Sequence, residues 1–205
     1  MATLTEIVTD VVAETRRPDL QTRIERLVMQ SVLRLHQSEL FSSDLAEGRV
    51  GAVAYTSVAP DSRYVIPKTD LLRFRLLNKF YDYDPAAQRV GSEFSIEDNP
   101  SFQLNEYGSV RTRIVRSMGE NLIVLGGDIL GNTRSFYASW YQDPDISSLS
   151  KETWITKRHR YAAMWAAVAA LYRALGKAEE AQAAQAEFQV EYNNIIINNL
   201  SLQGR

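Results

Sequence analysis

Apolar residues recur in helical register at the start of the chain, at Leu4, Ile7, Val8 and Val11 and again at Leu20, Ile24, Leu27, Val28 and Leu35. The i, i+3, i+4, i+7 spacing lines one face of a helix. Thr3 or Thr5 can cap the first helix, which the spacing carries to about Glu14. Pro18 stops it, and Asp19 can cap the second. From Val50 to Tyr141 the period shortens to two. Strand-like runs fall at 50–58, 64–66, 71–83, 111–118, 121–125 and 134–141. Ser117 to Asn121 offers a hairpin reversal around Gly119, and Gly126-Gly127-Asp128 marks a second turn. In the last run Phe136, Ala138 and Trp140 alternate with Tyr137, Ser139 and Tyr141, which puts apolar groups on one face and hydroxyls on the other. The polar, turn-rich stretch from Gln88 to Tyr107 reads as a long loop.

The pattern changes again after Ser150. Between Tyr161 and Tyr172 nearly every face of a helix is apolar, so protein or lipid must enclose it. Twelve residues fall short of the roughly twenty that cross a bilayer, which leaves protein as the enclosure. Ser150 or Thr153 can open this helix and Gly176 can close it in the left-handed conformation. An alanine- and glutamate-rich helix follows from Lys177 to Glu187. Beyond it Phe188, Tyr192, Ile195 and Ile196 place larger apolar groups on one side, and the last residues add Ile197, Leu200 and Leu202. A free tail with so much apolar surface invites association, so 193–205 reads equally as a segment that docks on a partner or one that folds back on its own domain.

The expected fold class is α+β: a mainly α-helical bundle, two N-terminal and two C-terminal helices, with a large central β-rich insertion. One domain spans 1–205, with a helix pair at 1–45, the β-rich insertion at 50–141, a second helix pair at 150–192 and the docking tail at 193–205. With 205 residues the chain can bury a sizeable core. It contains no cysteine, which excludes disulfides and thiolate metal sites. A formal charge of −2 supplies no global attraction to nucleic acid or anionic membrane. The N-terminus lacks a basic start and apolar stretch of a signal peptide.

Candidate chemistry is sparse. His36 and His159 lie in different helices without a metal-pair spacing, and P-loop, Gly-x-Gly-x-x-Gly and Gly-x-Ser-x-Gly patterns are absent. Asp82/Asp84 and Asp143/Asp145 are carboxylate pairs of the kind that can divide acid and base work, but they fit solvated turns better. The basic cluster Lys157, Arg158, His159, Arg160 could meet phosphates or an acidic partner, or simply end a solvated turn; Lys157, Arg158 and Arg160 are therefore candidate electrostatic contacts. No catalytic residue, cofactor or metal is expected, and the chain reads as a non-enzyme.

The order of motifs resembles the head-to-tail connector adaptors of tailed bacteriophages. The resemblance rests on Tyr141-Gln-Asp-Pro144-Asp-Ile146-Ser-Ser-Leu149-Ser150, then Thr153-Trp154-Ile155, then the Ala-rich helix, with Val58-Ala-Pro60-Asp61-Ser-Arg63 ahead of them. It implies a structural virion protein that closes a ring, twelvefold in the family, beneath the capsid portal. Its partners would be the portal protein, a tail, nozzle or tail-terminator protein and other copies of itself, with viral DNA passing through the lumen without specific binding. The implied location is the neck of the virion, with assembly in the host cytoplasm and no membrane involved. The family's C-terminal embrace of the portal maps onto Phe188, Tyr192, Ile195, Ile196, Ile197, Leu200 and Leu202. A tail-side neck or completion protein is the alternative, and a DNA-binding module using the basic cluster is a more distant one.

Overall fold

The computed structural model describes residues 3–54, 63–97, 113–126 and 133–203. The chain divides into two compact units: Met1–Asp44 with Asp143–Arg205, and Leu45–Gln142.

The first unit is helical. Helix α1 (Leu4–Thr15) begins with a capping box in which Thr3 and Glu6 satisfy each other's backbone N–H groups. Its first turn is also tied to the far end of the sequence: the N–H of Leu4 donates to the Lys151 carbonyl at 3.3 Å, and that of Thr5 to Leu149 at 3.0 Å. A 3₁₀ turn at Pro18–Leu20 leads into α2 (Gln21–Gln37). Asp19 does not cap α2; its carboxylate instead receives a two-pronged contact from Arg17. Helix α3 (Trp154–Arg158) starts at a Thr153/Thr156 capping box. The backbone breaks at His159 (φ −134°, ψ 42°), and α4 (Arg160–Ala174) follows. The apolar helix thus opens at Arg160, and the cap at Thr153 starts a separate short helix ahead of it. Gly176, at φ 72°, closes α4 as expected. Lys177 N–H reaches the Tyr172 carbonyl and Gly176 N–H that of Arg173, the paired bonds of a Schellman end.

Helix α5 runs unbroken from Ala178 to Gln203. The expected boundary at 192 therefore disappears, and the segment after it is helix. The core of this unit joins Leu4, Ile7, Val8 and Val11 of α1 and Ile24, Val28, Val32 and Leu35 of α2 to Ala162, Ala163, Ala167, Val168 and Leu171 of α4. Enclosure of α4 by its own unit is what its nearly unbroken apolar surface requires.

The second unit is a β structure: β1 (Leu45–Ala54), β2 (Arg63–Pro67), β3 (Phe74–Asp84), β4 (Arg89–Glu93), β5 (Ser95–Ile96), β6 (Arg113–Met118), β7 (Asn121–Gly126) and β8 (Thr133–Gln142). The strands are hydrogen-bonded in the order β4-β3-β8-β1-β2-β7-β6-β5. Two four-strand halves are visible in that order. β1 and β8 pair along their length, from Leu45↔Tyr141 to Val53↔Thr133, whereas β1 meets β2 only at Val53↔Val65 and Ala54↔Tyr64. The halves share one core, in which Tyr64 of β2 and Phe80, Phe94 and Phe136 stack edge-on or tilted at 5.0–5.8 Å between ring centres. Phe136, Ala138 and Trp140 face inward, as their alternation predicts, but Ser139 is buried too and accepts a hydrogen bond from the Asn78 amide. The Ser117–Asn121 reversal is a two-residue hairpin with Gly119 at φ 53°.

Two expectations need correction. The fold is α+β, but not a mainly helical bundle of two plus two helices carrying a β insertion. Of the five α-helices among the described residues, three lie in the C-terminal part, and the eight strands enclose a core of their own. The helices were miscounted because the break at His159 leaves no mark in the apolar period. Second, the presumed loop from Gln88 contains β4 and β5. Their largely exposed residues lack alternation, and pairing with β3 and β6 supplies what side-chain pattern does not. Residues 98–107 of that stretch, the Gly127-Asp128 part of the second turn and positions 58–62 of the Val58–Arg63 motif lie outside the described residues.

Candidate functional site

Two features of the helical unit can meet a partner: a cavity and the outer face of α5. Both follow from how the far half of α5 is held. Asn199 accepts hydrogen bonds from the backbone N–H and hydroxyl of Ser42, each at 3.3 Å. Ile195 is buried, and Phe188, Tyr192 and Ile196 pack half-buried against the same core. Val190, Ile197 and Leu200 point the other way and are 59–63% exposed. Their spacings of seven and three residues put them on one side of the helix.

The seven residues expected to dock on a partner therefore divide. Phe188, Tyr192, Ile195 and Ile196 belong to the protein's own interior, while Ile197 and Leu200 face outward, joined by Val190, which the sequence did not single out. The side chain of Leu202 lies outside the described residues.

The cavity, of about 270 Å³, is lined by Ser43, Trp154, Arg158, His159, Ile195, Asn198 and Asn199. Beside it lies a buried polar cluster. The Asp44 carboxylate, 3% exposed, meets His36 Nδ1 at 2.7 Å and accepts from the Trp154 indole N–H at 2.7 Å. The Trp154 ring is further fixed by edge-on contacts with Phe41, His36 and His159. Trp154 therefore presents its ring, not its N–H, to the cavity.

The basic cluster is dispersed by the turn at His159. Lys157 pairs with Glu152 at 2.9 Å, and Arg160 reaches back to Asp10 of α1, a contact that raises the guanidinium pKa further. Of the three, Arg158 alone has no carboxylate partner among the described residues, and it is the one at the cavity. The carboxylate pairs are similarly resolved into local roles. Asp82 accepts from the Tyr83 N–H, Asp84 from those of Ala86 and Ala87, and Asp143 from the Gln37 amide. Asp145 accepts from Lys151 and Ser147, which hold it well below the usual carboxylate range and keep it ionised. Among the described residues, no group of three or more His, Cys, Asp or Glu side chains is placed to hold a metal ion, and no helix is long and apolar enough to cross a membrane.

Burial holds the His159 imidazole below the ordinary histidine pKa; Glu191 opposes this and Arg158 adds to it. The unfolded chain then takes up this proton at a higher pH than the folded one. Stability contributed by the neutral ring is present above the unfolded value near 6.5 and declines as pH falls below it. Urea midpoints measured from about pH 7.5 down to about 5.5 are expected to decrease, and less steeply in His159→Gln. Equal slopes in both proteins would assign the pH dependence elsewhere.

The fold is α+β, and its last helix leaves Val190, Ile197 and Leu200 exposed. No protein-family model matches the chain, and no curated protein matches it significantly.

Sequence reasoning reached Arg158 and His159 of the cavity as parts of one basic cluster and Ile195 as part of the C-terminal apolar set, without bringing the two together. It missed Ser43, Asn198 and Asn199, whose small polar side chains carry no period. Trp154 entered only as part of a motif.

Proposed function

We propose that this chain is a ring-forming head-to-tail connector adaptor of a tailed bacteriophage, which docks beneath the portal and joins it to the tail. The observation that carries the docking part is the outward row of Val190, Ile197 and Leu200 on α5, three large side chains left exposed on a helix whose other face packs on its own core through Phe188, Tyr192, Ile195 and Ile196. Docking then needs no unfolded tail: the rigid outer face of α5 lies against the portal. Each of these side chains can contribute roughly 1.5–3 kcal/mol when fully buried. Copies close side to side by heterologous contacts, DNA passes through the lumen without being read, and the many identical contacts hold through high effective concentration. The near-neutral charge of the chain fits a lumen that must let DNA slide.

The test is the light-scattering mass of the chain alone and mixed with the portal protein encoded beside it. A ring-sized complex is expected in the mixture. The double variant Ile197→Asp, Leu200→Asp is expected to keep its thermal transition and weaken that complex by at least about 100-fold. Unchanged masses in the wild-type mixture would refute the adaptor reading, and an intact complex in the double variant would move docking off α5.

A further inference from the structure

We propose that the cavity beside α3 is a receptor for a main-chain carboxylate, the C-terminal residue of a partner polypeptide, with Arg158 as its cation and Trp154 and Ile195 as its apolar wall. The assignment comes from the lining residues and stands apart from the adaptor reading.

Charge comes first. The guanidinium of Arg158 is left without a carboxylate among the described residues while Lys157 and Arg160 are paired. An arginine presents a planar fork of donors that matches a carboxylate with two parallel bonds. The nearby acid Asp44 spends Oδ1 on His36 and the Trp154 indole, and its buried Oδ2, which has no hydrogen-bond partner, makes no ion pair with Arg158.

Donors come next. Because the side-chain oxygen of Asn199 accepts both bonds from Ser42, its NH₂ group is set as the donor end. Ser43 lines the same space. A carboxylate placed there would meet one cation and two neutral groups able to donate, the Ser43 hydroxyl and the Asn199 NH₂. The indole N–H of Trp154 is spent on Asp44, so the ring offers an apolar surface, and Ile195 adds a second one.

Size then selects the ligand. At about 270 Å³ the space lies below the roughly 300–1,000 Å³ of drug- or cofactor-sized sites. It suits a single residue. A chain terminus brings a carboxylate and an apolar side chain on the same carbon, which is the pairing the lining presents; an internal Glu or Asp brings its charge on a stem with no apolar branch.

The experiment is a ¹H–¹⁵N NMR titration of the full chain, following the Trp154 indole and Asn199 side-chain amide signals. N-acetyl-leucine is expected to shift both, with a dissociation constant on the order of millimolar for so small a probe. N-acetyl-leucinamide, which lacks the charge, is expected to leave them in place. The α-amide of N-acetyl-glutamate, which carries only a side-chain carboxylate, and inorganic phosphate are expected to bind at least about tenfold more weakly. Arg158→Gln should weaken N-acetyl-leucine binding at least about tenfold, with Arg158→Lys between the two. Shifts of equal size with the leucinamide or with phosphate, no shifts with N-acetyl-leucine, or undiminished binding in Arg158→Gln would each overturn the assignment. So would equal binding of the side-chain carboxylate, which would remove the claim to a chain terminus.

Discussion

Cutting the chain after Glu187 is expected to abolish the cooperative unfolding transition of the helical unit. The cut removes Ile195, which is 1% exposed, along with half-buried Phe188, Tyr192 and Ile196, all packed on the core built by α1, α2 and α4. Losing one buried Ile side chain to Ala costs about 2–5 kcal/mol. With three further partly buried side chains the total exceeds roughly 5 kcal/mol, comparable to the whole stability of a typical domain. The Asn199 contacts to Ser42 go as well. Calorimetry and far-ultraviolet circular dichroism of the shortened chain are the measurements. A sharp helical transition near the full-length midpoint would show that the far half of α5 is dispensable. Loss of partner binding in this truncation would therefore say nothing about docking, which is why the outward substitutions at Ile197 and Leu200 are the informative ones.

Asp44→Ala carries the next largest effect. It removes the acceptor of the Trp154 indole N–H and the partner of His36 Nδ1 from a place where the acid is 3% and the histidine 1% exposed. Stranding buried polar groups in this way costs about 2–5 kcal/mol. Asp44→Asn keeps an oxygen in place and is expected to lose less. Urea unfolding followed by tryptophan fluorescence measures both. A loss below about 1 kcal/mol in Asp44→Ala would mean that the cluster is readily resolvated and does not hold Trp154.

The two N-terminal helices were legible because their apolar residues keep the 3.6 period that packing enforces, and the Gly119 and Gly176 reversals because left-handed backbone favours glycine. The end of α5 was not. Asn193, Asn194, Asn198 and Asn199 have modest helix propensity, so the sequence reads as a tail. Packing of Ile195 and the tie from Asn199 to Ser42 override that preference. The cavity was illegible for a related reason. It joins a 3₁₀ turn near position 43 to helices beginning at 154 and 178, and no local pattern records a meeting over such separations. β4 and β5 were missed because their burial comes from neither face, only from hydrogen-bonded edges.

The tie between the first turn of α1 and the carbonyls of Leu149 and Lys151 has a consequence for synthesis on the ribosome. Helices α1 and α2 emerge early, but α4 and α5, which cover their apolar faces, emerge last. At about 5–20 residues per second, roughly 6–25 seconds separate the end of α2 from the start of α4, an interval in which the strands between them can pair while the N-terminal helices wait. The order of translation thus makes the β unit the earlier to mature and gives nascent-chain chaperones a defined apolar target: Leu4, Ile7, Val8 and Val11.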